Sequence, residues 1–145
     1  MILENCYMNK LNIVSVLALA FAAALVAGCG PKLPYKVVPL EGTITCDGEP
    51  VRNCSFFFMP DEGRSSAGAS DQDGHFIMAY TSDVAGVQVG KGHFYFIAGS
   101  GLAQSGEDGV SVSALATKYP RGNDKLVYTI EKEDKNFELK LSLND

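Results

Sequence analysis

Apolar and polar residues alternate through much of the chain from residue 40 onward. In residues 137–143, Phe137, Leu139, Leu141 and Leu143 are separated by polar residues, which is the period of a strand with one buried face. The same alternation, or a short apolar run between turn residues, predicts further strands at 40–46, 54–59, 75–81, 93–98 and 126–131. The windows in this part of the chain show no helical period. The pattern therefore predicts an all-β domain.

Turn residues separate these strands at short intervals. Asp47-Gly48 is a strong hairpin signal. Asp71-Gln72-Asp73-Gly74 predicts a second turn, in which Gly74 supplies a positive φ. Residues 60–70 and the Gly/Ser-rich residues 99–113 are expected to be loops. Short strands with turn signals this frequent predict an antiparallel sandwich.

The beginning of the chain has a different pattern. Leu11 to Val26 is an apolar run of 16 residues that contains only Asn12 and Ser15 as polar members, and Lys10 precedes it. A basic start, an apolar stretch and small residues after it are typical of a secretory signal. A retained transmembrane helix is the alternative, because the run is near the lower length limit for spanning a bilayer. The many alanines, and the lack of a basic cluster after the run, favour cleavage.

The residues that end this run, Leu25-Val26-Ala27-Gly28-Cys29, resemble the lipobox of bacterial lipoprotein signal peptides. The resemblance implies cleavage before Cys29, lipid on its sulfur, and acylation, as with palmitate, of the new amino terminus. Several acyl chains on one residue anchor a protein stably where one chain would not. The expected organisation is a signal peptide at 1–28, the lipidated cysteine and a linker at 29–38, and the folded domain at 39–145.

Two details of the sequence refine the predicted location of the protein and the start of its signal peptide. Gly30 and Pro31 follow the cysteine, and neither is the acidic residue that often marks retention in the inner membrane, which favours the outer membrane. Met8 precedes Asn9 and Lys10 and gives a cleaner basic start than Met1, so we expect translation to begin at Met8. The predicted location is the cell envelope, facing the periplasm or the cell surface.

The strand and turn motifs together resemble the transthyretin-like, carboxypeptidase regulatory-like domains. The motifs that carry the resemblance are Gly42-Thr43-Ile44, Asp47-Gly48-Glu49-Pro50-Val51, Phe56-Phe57-Phe58-Met59-Pro60, Ser70-Asp71-Gln72-Asp73-Gly74-His75-Phe76, Gly92-His93-Phe94-Tyr95-Phe96, Lys118-Tyr119-Pro120 and Asn136-Phe137-Glu138-Leu139. The resemblance implies a Greek-key antiparallel β-sandwich of about seven strands and a non-catalytic role. Cys54 stands where these domains usually have a smaller residue, often Ala.

Composition narrows the possible partners. The 145 residues contain 12 Lys and Arg against 17 Asp and Glu, a formal net charge of −5. The basic residues are scattered, so the chain lacks the basic patch that nucleic-acid binding requires. Together with the non-catalytic role that the resemblance implies, this leads us to expect a non-enzymatic structural or protein-interaction module, without cofactor or metal. Its expected partners are the membrane, through lipid on Cys29, and other envelope proteins. The alternative is an envelope module that binds a small molecule or a carbohydrate.

Two cysteines remain after processing, Cys46 and Cys54. A possible disulfide joins them in an oxidising compartment. In a two-residue hairpin at Asp47-Gly48, Cys46 would face Glu49 and Cys54 would lie too far along to bridge, whereas a chain that crosses between two sheets would allow the bond. The alternative is two small buried apolar residues. Two thiols and the distant His75 and His93 make a weak case for a metal site.

Other candidate sites have simpler explanations. Asp71-x-Asp73-Gly74 is similar to the start of a calcium loop, but the twelfth position is Ser82 instead of Glu, which favours a hairpin turn. His75 and His93 each begin a predicted strand, where an exposed imidazole is ordinary. Residues 119–123 resemble the C-terminal motif of hydroxyisourate hydrolase only superficially, because Pro120 interrupts it. We therefore predict no catalytic residue.

The aromatic and apolar residues on the other face of two predicted strands have two possible interpretations. Phe57, Tyr95 and Ile97 alternate with the residues expected in the core. They form either an exposed patch for a partner or a surface that loops or a second sheet cover. We favour the covered arrangement.

Overall fold

The computed structural model describes residues 34–99 and 109–144. Within these ranges the secondary structure is almost entirely strand, which confirms the all-β prediction. The strands are β1 (Val37–Val38), β2 (Leu40–Cys46), β3 (Glu49–Pro50), β4 (Ser55–Pro60), β5 (Ser66–Ser70), β6 (His75–Thr81), β7 (Val84–Ala85), β8 (Val87–Gln88), β9 (Gly90–Phe96), β10 (Val127–Ile130) and β11 (Asp134–Leu141). The helix α1 covers Val112–Lys118.

Most strands belong to one long sheet that curls into a half-barrel. Its path runs β10-β9-β4-β5-β6-β2-β11, while β3 pairs with β2, β7 pairs with β6, and β1 and β8 form a separate ribbon. The pairs are antiparallel except for β2 and β11, which run parallel. Strands β10 and β11 are the two ends of the path, so each has one paired edge and, among residues 34–99 and 109–144, one open edge.

The alternating residues of these strands bury one face of the sheet. Phe56 on β4 is fully buried, and its ring lies 5.1 Å from Phe76 in an edge-to-face arrangement and 6.1 and 5.9 Å from Phe94 and Phe96. Such aromatic pairs each contribute about 0.5–1.5 kcal/mol beyond the burial of apolar area. Phe94 on β9 also lies 5.7 Å from Phe137 on β11, so the strand next to one end of the sheet path packs across the interior against the strand at the other end.

Both predicted turns are confirmed. Asp47 and Gly48 have φ values of 51° and 90°, and Cys46 pairs with Glu49, as in a two-residue hairpin with positive φ at both turn positions. At the second turn, Gly74 has φ 77° and the Asp71 carboxylate accepts hydrogen bonds from the backbone N–H groups of Asp73 and His75, both at 2.9 Å.

Strand β5 lies inside residues 60–70, for which the sequence predicted a loop. Its inward residues are Ser66, Gly68 and Ser70, and small residues of this kind carry little strand signal. A side chain at Gly68 would collide with Met78 and crowd the ring of Phe56. The prediction was wrong here because neighbouring side chains fill the space opposite β5. Its inward residues are therefore small, and the sequence shows no alternation of apolar and polar residues.

Helix α1 was also missed, because it begins within the predicted loop 99–113. Ser111 caps it by accepting a hydrogen bond from Ala114 N–H at 3.3 Å, and Val112 and Leu115 are its buried residues. Seven residues make two turns, and two buried positions are too few to reveal a helical period. Leu115 nevertheless completes the core beside β9.

In the described part of the chain no helix has the length and apolar character needed to cross a membrane. The predicted signal segment at 1–28 and Cys29 lie outside the described residues.

Candidate functional site

The two cysteines of the possible disulfide are free thiols, and both are buried. Cys46 ends β2 and faces Glu49 across the hairpin, the geometry for which a bridge to Cys54 was not expected. The Cys46 thiol donates weakly to Asp47 Oδ2 at 3.8 Å, whereas the Cys54 thiol donates to the Ser55 carbonyl at 3.6 Å.

Burial controls the chemistry of these thiols. It raises the pKa of Cys54 to about 12, because a thiolate would lose its hydration there. Burial also raises the pKa of Cys46, and the neighbouring Asp47 charge adds to the effect. Since the thiolate is the nucleophile and the metal ligand, both cysteines act as small apolar residues at neutral pH.

The two histidines lie far apart. His75 is on β6 and His93 on β9, three strand spacings along the sheet, or roughly 14 Å at ~4.8 Å per spacing. His93 Nε2 accepts a hydrogen bond from the backbone N–H of Gly122 at 2.9 Å. The imidazole holds the loop after α1 in place, and the two histidines do not share a cleft.

The Asp71 turn has its carboxylate occupied by backbone donors. The N–H of His75, and then that of Asp73, lower the pKa of Asp71. Within residues 34–99 and 109–144, no cluster of three or more His, Cys, Asp or Glu side chains could hold a metal ion. The hairpin explanation is therefore the one that the geometry supports.

The aromatic residues outside the core are covered only in part. Tyr95 is 4% exposed and stacks on the half-buried Phe57 with 5.2 Å between ring centroids. Ile97 is 44% exposed. The prediction that these residues are covered is thus confirmed for Tyr95 and wrong for Ile97.

The opening of the half-barrel between β10 and β11 is a feature that the sequence did not predict. We call it the seam. The rings of Tyr128 on β10 and Phe137 on β11 meet there with 5.4 Å between centroids. One hollow lies on either side of this ring pair. The smaller has a volume of about 190 Å³ and is lined by Leu40, Thr129, Ile130, Glu131, Lys132, Asp134 and Phe137.

The larger hollow of the seam is a cleft of about 440 Å³, within the size range of ligand sites. Its walls combine apolar and aromatic side chains with three lysines. The lining residues are Lys118, Tyr119, Lys125, Leu126, Tyr128, Lys140, Leu141 and Ser142. Burial raises the pKa of Tyr128, and the nearby Tyr119 adds to the effect, so the Tyr128 phenol is neutral in the cleft at physiological pH.

Backbone groups of both strands point into the seam. Phe94 N–H donates to Leu126 O, so Leu126 directs its backbone groups toward β9. In an antiparallel pair, successive residues direct their backbone groups alternately toward the partner strand and away from it. Val127 and Thr129 therefore direct their N–H and C=O groups away from β9. On β11, Leu141 O accepts from Asp47 N–H. Glu138 and Lys140 therefore point their backbone groups away from β2.

The Tyr119 side chain contacts Ser142, the residue that follows β11, on the open side of the strand. Its hydroxyl donates to Ser142 O at 2.7 Å and accepts from Ser142 N–H at 3.1 Å, so it takes the place of a neighbouring strand at that residue. Asp47 holds the same end of β11. Its carboxylate accepts from Leu143 N–H at 3.0 Å and from the Ser142 hydroxyl at 2.8 Å, and these bonds lower its pKa.

A third hollow, of about 350 Å³, lies near the β1–β8 ribbon. Gln88 lines it together with Tyr35, Asp61, Glu62 and Lys91 among others. The Gln88 amide nitrogen donates to Glu62 O at 2.6 Å, while its Oε1 is buried and has no hydrogen-bond partner in the described part of the chain.

No family model, curated protein or solved structure matches the chain. The resemblance to transthyretin-like domains therefore stays a prediction, and the candidate sites rest on their own geometry.

Proposed function

We propose that the chain is a lipid-anchored, non-enzymatic envelope protein that acts as a protein-interaction module through the open edges of its sheet. The lipidated residue is Cys29, after removal of residues 1–28, and residues 29–38 link it to the domain. We also propose the Greek-key sandwich of the transthyretin-like type. The Phe94–Phe137 and Tyr128–Phe137 ring contacts support it, because they bring opposite ends of the sheet path face to face.

The observation that carries the interaction proposal is the seam. Natural proteins usually cover, shorten or interrupt a free sheet edge, since an exposed edge invites pairing with another chain. Here β11 is eight residues long, with an irregularity between Asp134 and Phe137, and it pairs regularly with β2 over Phe137–Leu141. Its other edge has no partner strand in the described part of the chain, and residues of β10 and β11 line the same hollows. An edge of this kind, beside a cleft that has both apolar and lysine side chains, is suited to a protein partner.

Two features support a role without catalysis. Acid–base catalysis by a histidine pair needs both groups within hydrogen-bond reach of one substrate atom, and His75 and His93 are three strand spacings apart. Nucleophilic catalysis by cysteine needs a thiolate, and the pKa of each buried thiol is raised.

The anchor is tested by expressing the full chain in a bacterial host with a labelled fatty acid. We expect the label on the membrane fraction, and an intact mass for a chain that begins at a triacylated Cys29. Cys29→Ala is the matched control and should lose the label. A mature product that keeps residues 11–28, or carries an unmodified thiol at position 29, would contradict the proposal.

The interaction is tested by isolating the lipidated protein from its own membranes and identifying what accompanies it by mass spectrometry. We expect a protein that rebinds the purified chain at a fixed stoichiometry. Retention of a sugar or metabolite without any protein partner would overturn the interaction proposal.

The second candidate function is binding of a small molecule or carbohydrate. The buried Oε1 of Gln88 favours it, because an unpaired buried acceptor can receive a hydrogen bond from a ligand hydroxyl in the adjoining cavity. Calorimetric titration with a panel of envelope saccharides tests it. Binding that Gln88→Leu abolishes, with folding retained, would make this the function.

A further inference from the structure

We propose that the open edge of β11 pairs antiparallel with β11 of a second copy of this chain, with Glu138 of each copy opposite Lys140 of the other. This inference rests on the proposed use of the open sheet edges and names the occupant of one of them. Three observations carry it: the direction of the backbone groups on β11, the hydrogen bonds that bound the unpaired stretch, and the order of the charges along it.

Two residues of β11 have backbone groups available to a new strand. Leu141 O accepts from Asp47 N–H on the β2 side, and because the direction alternates along a strand, Glu138 and Lys140 point their N–H and C=O groups away from β2. Their side chains are exposed, by 64% for Glu138 and 73% for Lys140. In the described part of the chain, β2 is the only strand that pairs with β11. The edge is therefore both unpaired and exposed at these two residues.

Hydrogen bonds within the chain bound this stretch at both ends. The Tyr119 hydroxyl already bonds the N–H and the C=O of Ser142, so a new strand finds no unpaired backbone group there. At the other end, Asn136 N–H donates to Asp134 Oδ1 at 2.9 Å, within the irregular part of β11. A pairing strand therefore has a short regular edge between these two ends.

The charges along this stretch make the edge complementary to itself. When two β11 strands are related by a two-fold axis at Leu139, Glu138 lies opposite Lys140 of the second copy, and Lys140 lies opposite its Glu138. Because the backbone groups of both residues point outward, each opposed pair exchanges both of its backbone hydrogen bonds. Opposite charges directly across from each other also stabilise a strand pair. A second copy thus satisfies the backbone and the charges of this edge together.

The neighbouring registers are less favourable. An axis at Glu138 places two carboxylates opposite each other and sets Lys140 opposite Asn136, whose N–H is already bonded. An axis at Lys140 places two ammonium groups together and sets Glu138 opposite Ser142, whose backbone groups are already bonded. Like charges directly opposite each other destabilise a strand pair. The axis at Leu139 is therefore favoured by the charges and by the available backbone groups.

The ion pair within one copy is compatible with this arrangement. Lys140 Nζ lies 2.7 Å from Glu138 Oε2, and both side chains are mostly exposed, so the isolated pair contributes little to stability. In the paired strands, each ammonium group lies beside the carboxylate of its own copy and opposite the carboxylate of the second copy. The result is a small network of alternating charges, which is worth more than an isolated surface pair.

The test measures self-association of the full lipidated chain in phosphatidylcholine vesicles, where confinement to the bilayer raises the effective concentration. Donor and acceptor dyes are attached through Lys36→Cys, an exposed position outside β11, and energy transfer is followed as the surface density rises. We expect transfer above that of randomly distributed chains. If the chain fails to bind vesicles, the same series in solution tests the pairing without the anchor.

Charge reversal tests the proposed contacts. Glu138→Lys or Lys140→Glu alone should weaken association by roughly 5- to 100-fold, because like charges then face each other. A mixture of the two variants should recover it, since every residue again faces an opposite charge. Each variant breaks the ion pair within its own copy, so the recovery reports contacts between copies. Glu49→Lys, an exposed reversal on β3, is the matched control and should leave association unchanged.

Disulfide trapping tests the register. Opposed residues of a hydrogen-bonded pair have Cα atoms about 5.5 Å apart, within the range for a disulfide. A mixture of Glu138→Cys and Lys140→Cys chains should therefore crosslink under mild oxidation. Either variant alone should crosslink little, because diagonal residues lie about 7–8 Å apart. The native Cys46 and Cys54 thiols are buried in the described domain, so they do not compete.

Several outcomes would overturn the pairing. One is energy transfer no greater than that of random chains, and another is a mixture of charge variants that associates no better than either alone. Amide exchange that slows with surface density at Thr129 on β10, instead of at Glu138 and Lys140, would assign the contact to the other edge. A chain that stays monomeric while a different protein rebinds it would refute the pairing and leave the interaction module in place.

Discussion

Removing the Tyr119 hydroxyl tests how strongly the end of β11 is held. In Tyr119→Phe, the Ser142 N–H and C=O both lose a partner. A hydrogen bond contributes a net 0.5–1.5 kcal/mol, so two account for about 1–3 kcal/mol. Ser142 is half-buried, and water replaces part of the loss. Asp47 still accepts hydrogen bonds from the Ser142 hydroxyl and Leu143 N–H. We therefore expect the free energy of unfolding to fall by about 1–2 kcal/mol.

The measurement is urea denaturation followed by circular dichroism, with a thermal scan beside it. A loss of about 1–2 kcal/mol corresponds to a decrease in Tm of roughly 4–16 °C for a domain near 100 residues. Tyr128→Phe is the matched control, because it removes a phenol from the same cleft while no hydrogen bond of that phenol occurs among the described residues. Equal losses for both variants, or no loss for Tyr119→Phe, would refute the assigned role of the Ser142 bonds.

Three further predictions follow from the turns, the thiols and the core. The folded-state pKa values of Asp47 and Asp71 are lowered, so their contribution to stability is present above the carboxylates' ordinary pKa and is lost as pH falls through the lowered values. Urea midpoints measured from pH 6 to pH 2 should therefore fall, and less steeply in an Asp47→Asn/Asp71→Asn variant. Cys54 should resist iodoacetamide at pH 8 in the native state, because its pKa is about 12, and should react in guanidinium; rapid native labelling, detected by peptide mass, would contradict its burial. Gly68→Ala should destabilise the domain by about 1–3 kcal/mol through overpacking against Met78, whereas an unchanged urea midpoint would show that Met78 moves away freely.

The strands that could be predicted from sequence are those whose side chains alternate clearly. Residues 137–143 contain most of β11, and the Asp47-Gly48 signal gave the correct hairpin with Cys46 opposite Glu49. These features are local, because side-chain period and turn chemistry depend on neighbouring residues. Strand β5 could not be predicted in this way, since Ser66, Gly68 and Ser70 are buried by their fit against other strands.

The seam could not be predicted from sequence for a different reason. An open edge is defined by which strands fail to pair, and that depends on the path of the whole sheet. Lys118, Lys125 and Lys140 are spread over α1, the loop before β10 and β11, so their convergence gives no short motif. The scattered basic residues led us to predict no nucleic-acid binding, and they gave no sign that three lysines line one cleft.

The parallel pairing of β2 with β11 has a consequence for how the chain acquires its structure. Gly42 pairs with Phe137, so one edge of β2 finds its partner only in nearly the last residues, while its other edge pairs with β3 and β6. Loop closure over such a separation is entropically costly, and folds dominated by distant pairings form slowly. In a nascent chain, that edge of β2 should therefore stay unpaired until synthesis is almost finished. A stop codon before residue 134 should leave an aggregation-prone or protease-sensitive fragment instead of a smaller folded unit.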